Sequence, residues 1–339
     1  MPTNDSQIQQ SNVNNDKLPV NGSLSGSDDS KTGEFKASKS DAAKQNELVH
    51  LDPWQKLKEY TDSRIALGRV GCSIPTKALL KFQLDHAEAK DAVLQDLDIE
   101  RLVDDLSTQC HLIFKDMDTE AATENLEKSD EQSLEQSDEV WELFKVMSQA
   151  ENKSDYLKRP DWGRLLNSDS SEKLEHFLEQ SGTDKSYDVI IVMGDGLSAR
   201  ALEENGPKLV AELIPLFKEQ GWSIAPLVIA TGSRVALGDK VAERLNAKML
   251  VMLIGERPGL SSPDSLGIYY TWDAHAESHD AMRNCISNVR AAGLPVKMAA
   301  NRLLALMKKS CELKLSGVDL KDEQELPTLD QSQPAIKLL

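Results

Sequence analysis

Three short turns in the second half of the chain carry residues of the right types and spacing for chemistry. Gly194-Asp195-Gly196, Gly232-Ser233-Arg234-Val235 and Gly255-Glu256-Arg257-Pro258-Gly259 each follow an apolar run. The first, extended through Leu197 and Ser198 to Ala199, fits GxGxxA. That pattern seats a phosphate on a helix N-terminus and would suit a stand-alone, dinucleotide-dependent enzyme of the Rossmann type. Two features oppose this. Asp195 puts a carboxylate where the pyrophosphate would sit, and the next strand ends Ile229-Ala230-Thr231-Gly232, without the acid that holds a ribose hydroxyl. A tight turn that needs glycine for its backbone is the simpler account.

Other candidates are weaker still. Ser198 lacks the second glycine of a GxSxG nucleophile elbow, because Ala199-Arg200 follows it. His275 and His279 stand four apart but Ala276-Glu277 breaks the HExxH order, so they are expected to be solvated loop residues. His86, one turn from Phe82, is expected to be a packing histidine. The four cysteines, Cys72, Cys110, Cys285 and Cys311, are far apart with no CxxC pair, which indicates reduced thiols and neither a zinc site nor a disulfide framework. No residue qualifies as a catalytic acid or base.

The loop from Gly255 to Gly267 is more informative. It holds two prolines and three glycines, and Glu256 and Arg257 occupy its first turn, where side chains face a ligand crevice. A plain Glu256–Arg257 ion pair is the alternative. The segment Arg283-Asn-Cys285-Ile-Ser-Asn288 adds amides and a hydroxyl, with Cys285 either among them or a small buried apolar residue.

These turns need a scaffold, and the sequence supplies one. Asp188–Met193 is a short unbroken apolar run, with a helical stretch from Leu197; Ser223–Ala230 repeats the scheme, followed by a helix over Asp239–Leu245 and a strand over Lys248–Ile254. Such alternation predicts an α/β fold, a Rossmann-like parallel sheet with helices on both faces. Ligands then bind outside the strands' C-terminal ends, so the three turns share one rim. Upstream, Leu79, Phe82 and His86 recur at helical spacing after Pro75, with Thr76 as a capping residue. The expected organisation is a disordered tail over 1–47, a mostly helical region over 48–180 with an acidic insertion at 116–139, the α/β domain over 181–317, and a flexible C-terminus over 318–339.

Composition narrows the function classes. Across 339 residues, 39 Lys and Arg stand against 56 Asp and Glu, a formal charge of −17. That disfavours sequence-independent binding to nucleic acid or anionic membrane, which needs a basic face. No apolar run approaches the roughly 20 residues of a membrane span. The polar N-terminus lacks the features of a secretory signal, which points to a cytosolic compartment.

Together the segments resemble the small subunit of ethanolamine ammonia-lyase. The matching stretches are Arg64-Ile-Ala-Leu-Gly-Arg-Val-Gly71 with Pro75-Thr76, Leu80-Lys-Phe-Gln-Leu-Asp-His86 with Lys90-Asp91, and Tyr156-Leu-Lys-Arg-Pro-Asp-Trp-Gly-Arg164. They continue with Asp195-Gly-Leu-Ser198, Gly255-Glu-Arg-Pro-Gly-Leu260 and Arg283-Asn-Cys-Ile-Ser-Asn288, so the resemblance runs from about Asp52 to about Gly317. The tail and the acidic block depart from that pattern.

The resemblance implies a hetero-oligomeric lyase that converts ethanolamine to acetaldehyde and ammonia with adenosylcobalamin, by radical migration of the amino group. In such an enzyme the large subunit is a barrel that carries the substrate, and the small subunit closes over the cobalamin at the interface. The hard chemistry is the cofactor's. Carried over by motif, the cobalamin contacts fall on Val235, Glu256 and Cys285. The helix bearing Phe82 and His86 would pack on the large subunit. A bacterial microcompartment is the implied location, with the cytoplasm as the alternative.

Overall fold

The computed structural model describes residues 53–61, 63–117, 140–182 and 185–321. The expectations for the tail over 1–47, for the acidic block beyond residue 117 and for the chain past residue 321 lie outside the described residues.

The core is one seven-stranded sheet of β1 (Ile113–Asp116), β2 (Val140–Met147), β3 (Tyr187–Gly194), β4 (Leu227–Thr231), β5 (Ala247–Gly255), β6 (Leu266–Trp272) and β7 (Arg283–Val289). Their spatial order is β1-β2-β4-β3-β5-β6-β7. The first five in that order run parallel, whereas β6 and β7 are antiparallel additions at one edge. The expected parallel sheet is therefore a mostly parallel one. The segment 48–180 also sends β1 and β2 into the same sheet.

Among the described residues seven α-helices accompany the sheet: α1 (Thr76–Leu94), α2 (Ile99–Cys110), α3 (Lys153–Lys158), α4 (Ser168–Ser181), α5 (Ala199–Glu219), α6 (Val235–Arg244) and α7 (Val296–Leu313). Side chains alternate along β3. Val189, Ile191 and Met193 meet α2, α5 and α7 through Leu102, Leu106, Leu209, Phe217 and Leu303. Ile190 and Val192 meet α4 and α6 through Leu174, Phe177, Leu237 and Val241. Each such side chain, fully buried, stabilises the fold by roughly 1.5–3 kcal/mol. The two-sided burial is the reason that β3, β4 and β5 read as unbroken apolar runs.

Local chemistry sets the boundaries. β4 starts at Leu227 instead of Ser223, since Pro226 has no N–H for a ladder. α6 begins at Val235, a turn before the expected Asp239. In α1, Pro75 is the N-cap, and Thr76 is the first helical residue and makes no side-chain capping bond. That helix buries only Ala92, leaving Leu79, Leu80, Phe82 and Leu84 between 40% and 60% exposed. His86 is exposed too, its ring 6.1 Å from that of Phe82, so it is not the packing residue its spacing suggests.

Candidate functional site

β4, β3 and β5 end side by side, and the turns after them are stitched into one rim. Asp195 Oδ1 accepts from the N–H groups of Gly196 at 2.8 Å and Ser233 at 2.9 Å and from Ser233 Oγ at 3.1 Å, while Oδ2 accepts from Gly232 N at 2.9 Å. Burial pushes the Asp195 carboxyl up, and the N–H groups of Ser233 and Gly232, with the Lys153 ammonium, oppose that shift. Gly196 has φ +56° and lies against β5, where a Cβ would stand 2.3 Å from the Gly255 carbonyl oxygen. Only glycine suits both demands.

This stitching removes the dinucleotide reading. The N–H groups of Gly196, Gly232 and Ser233 that would cradle a phosphate are given to the protein's own carboxylate. Ser198, fully buried, accepts from Ala201 N at 3.2 Å and donates to the Pro263 carbonyl at 2.6 Å. It caps α5 and is no nucleophile.

Beside the rim, the N-terminus of α6 opens onto the sheet's antiparallel edge. A cleft of about 310 Å³ there is lined by Arg164, Arg234, Val235 and Ala236 on one side and Tyr269, Asp280, Arg283 and Cys285 on the other. Val235 and Cys285, fifty positions apart by numbering, thus share one cavity. Glu256 does not line it. Its half-buried carboxylate accepts from Ser265 Oγ at 2.5 Å and Asn288 N at 3.3 Å, and it packs where a Cβ on Gly267 would lie 2.8 Å from Oε1. Gly267 sits two residues before Tyr269 on the same face of β6. Arg257 is exposed and makes no ion pair with Glu256, so the plain ion-pair reading fails.

Tyr269 and Cys285 are cross-strand partners. Burial pushes the Tyr269 phenol up, with Cys285 and Glu256 adding to the shift. Burial likewise pushes the Cys285 thiol up, Tyr269 opposing and Glu256 reinforcing. The thiol is therefore held protonated, although Cys285 is exposed at the surface instead of being a buried apolar residue.

Two supports position the cleft walls. Behind Val235, Arg234 N donates to Gly163 O at 2.8 Å, and its Nη2 donates to Tyr156 O at 3.0 Å with the guanidinium 4.5 Å from the ring centre of Tyr156. At the other wall, Arg283 Nη1 donates to both carboxylate oxygens of Asp239 at 2.5 Å, joining β7 to α6. Burial pushes Asp239 up, and the guanidinium opposes that shift. His275, in the loop after β6, turns its Nδ1 to the Asp273 carbonyl at 2.7 Å and donates its backbone N–H to Ser278 Oγ at 3.0 Å, beside the Arg283–Asp239 wall.

Single motifs gave no role to Tyr156, Arg164, Arg234, Tyr269 and Arg283, although Arg234 and Arg283 lie within the turn and the polar segment that carry Val235 and Cys285. The only signal for the first two was the long stretch Tyr156–Arg164, and Tyr269 was hidden in an apolar strand never identified as one. The assembled surface has apolar side chains, an aromatic ring, a neutral thiol and cationic groups. It is suited to holding a broad ligand edge. Among the described residues no group of three His, Cys, Asp or Glu side chains is arranged to hold a metal ion.

The family model for ethanolamine ammonia-lyase light chain (EutC) matches residues 51–321. The ethanolamine ammonia-lyase small subunit of Pseudomonas aeruginosa (strain LESB58) is 43% identical over 284 residues, covering 84% of this chain and 92% of that protein. Those of Pseudomonas fluorescens (strain Pf0-1) and Pseudomonas putida (strain W619) are 42% and 44% identical, each covering 82% of this chain and 90% and 91% of their own length.

Proposed function

Because the chain belongs to the ethanolamine ammonia-lyase light-chain family, we propose that it binds and orients adenosylcobalamin against a large catalytic subunit. The assembled hetero-oligomer would convert ethanolamine to acetaldehyde and ammonia by radical migration of the amino group. The observation that carries this reading is the meeting of Val235 and Cys285 in one cleft beside Glu256.

The residues present fit a corrin, a broad apolar disc fringed with amides. Val235, Ala236 and the Tyr269 ring offer apolar contact. The Glu256 carboxylate, lying over the bare Gly267, is an acceptor for a peripheral amide N–H, a charge-assisted bond worth roughly 1.5–3 kcal/mol. A cavity of about 310 Å³ suits the rim of such a disc, leaving its face for a second polypeptide. Adenosylcobalamin, when bound, would supply the radical chemistry. This chain's residues hold, orient and exclude water.

The partner reading has a separate support. α1 presents Leu79, Leu80, Phe82 and Leu84 to solvent, with Trp54 and Tyr60 exposed before it. A helix with this many exposed apolar side chains suits a surface that a partner covers. Among the described residues no helix is long and apolar enough to cross a membrane. The family reading makes a bacterial microcompartment the place of work, with the cytoplasm as the alternative.

The deciding experiment is cobalamin titration of the assembled complex carrying Glu256→Ala. Affinity should fall by about 1–3 kcal/mol, since the amide partner is left unpaired. Unchanged affinity in a complex of normal sedimentation would remove Glu256 from the site.

A further inference from the structure

The cleft beside the rim holds two guanidinium groups to which the apolar and amide contacts of a corrin give no task. Arg164 and Arg234 stand on one wall, and Gly163 brings them together. Its carbonyl accepts from Arg234 N at 2.8 Å, and a Cβ on it would lie 3.0 Å from Gly232 O and 3.1 Å from Arg234 Cγ. Arg234 spends Nη2 on the Tyr156 carbonyl, yet its Nε is buried with no acceptor. Such a donor is costly to leave unpaired. The Arg164 guanidinium opens on the same cleft and makes no hydrogen bond or ion pair among the described residues. The carboxylates nearby are already engaged. Asp239 takes Arg283 at 2.5 Å, Asp280 lies 3.5 Å from Arg283 Nε, and Asp195 is covered by backbone N–H groups and faces Lys153. This wall therefore carries surplus positive charge.

We propose that Arg164 and Arg234 hold the phosphodiester of the nucleotide loop of adenosylcobalamin. The inference rests on the cobalamin reading and names the anionic group that the cleft recognises. The amides fringing a corrin are neutral, so the phosphodiester is the group for which two cations discriminate. Guanidinium N–H groups meet phosphate oxygens as a fork, a match that an ammonium lacks. Arg164, unpaired and exposed, supplies that fork, while Arg234 adds charge and gains an acceptor by turning toward the anion. Val235 and Cys285 line the same cavity, so ring edge and phosphate, joined by one side chain in the cofactor, find their partners side by side.

The test is absorbance titration of the assembled complex, at low ionic strength, with three cyano-corrinoids. These are cobalamin, cobinamide, which lacks the nucleotide loop, and cobinamide phosphate, which restores the phosphate alone. The wild type should bind cobinamide phosphate about tenfold or more tightly than cobinamide. Arg164→Gln should abolish that advantage and weaken cobalamin by a like factor, with cobinamide affinity unchanged. Arg164 is exposed, so this variant keeps the test decisive should Arg234→Gln fold poorly. The proposal is overturned if the wild type binds both cobinamides alike, if Arg164→Gln weakens both alike, which would assign the arginine to a ring amide, or if it lowers only recovery of the large subunit, which would assign it to a partner carboxylate. Failure here while Glu256→Ala still weakens cobalamin binding overturns this inference alone; unchanged cobalamin affinity in both variants overturns the parent reading with it.

Discussion

Asp195, at the end of β3, accepts from both the backbone N–H of Ser233 at 2.9 Å and its hydroxyl at 3.1 Å, so one strand's carboxylate fixes the turn that launches α6 and Val235. Asp195→Asn keeps the shape but places an N–H₂ against donors. About 1–3 kcal/mol of stability should be lost, visible as a lower midpoint in urea unfolding. An unaltered midpoint would show that the rim does not depend on this carboxylate.

The Arg283–Asp239 pair has side chains 3% and 1% exposed. Arg283→Met strands a buried carboxylate and should cost about 3–5 kcal/mol. Adding Asp239→Leu should recover most of that loss, because two apolar groups then replace the pair. A double variant as unstable as the single one contradicts this account.

At Gly267, a Cβ would stand 2.8 Å from Glu256 Oε1 and 3.2 Å from a Tyr269 ring carbon. Both are movable side chains, so Gly267→Ala should leave the melting temperature nearly unchanged while displacing the carboxylate. Cobalamin affinity of the complex is expected to drop by roughly 1–2 kcal/mol, on the scale of one charged hydrogen bond. Full affinity would place the cofactor elsewhere.

Burial pushes the Cys110 thiol from 9.0 up to about 11. An acid whose folded pKa is raised keeps its proton longer in the native state, so the stability it lends is complete below pH 9.0 and is lost as pH rises from there through about 11. The unfolding free energy of the wild type should therefore fall more steeply over that window than that of Cys110→Ala. Equal slopes would show that the thiol does not contribute. Exposed Cys72 should also react with iodoacetamide well before Cys110.

Leu84 on α1 is 60% exposed. Leu84→Glu should leave the isolated chain as stable as the wild type, within about 0.5 kcal/mol for a surface change, yet reduce its recovery with the large subunit in co-purification. Undiminished recovery would free α1 from the interface.

The candidate site was half legible in the sequence. Val235 and Glu256 follow glycine turns after buried strands, and a parallel sheet brings such turns to one rim by topology. Cys285 was reached only through family resemblance. β7 reads as a polar segment because just one of its faces is covered, and Cys285, Ser287 and Asn288 point away from the core. β2, with alternating Trp141, Leu143 and polar neighbours, was similarly obscured beside the acidic block.

What the sequence determined by itself was the identity of the central strands, the glycine turns after them and the helical spacing of α1. These are local matters: a strand buried on both faces must be apolar throughout, and a turn with positive φ favours glycine. Tertiary structure alone decided that Asp195 would consume the N–H groups of two turns, that Arg283 would meet Asp239, and that α1 would be left bare. Those outcomes depend on which distant segments touch, and the pairing energy of a buried hydrogen bond or ion pair belongs to the contact and not to either stretch of chain.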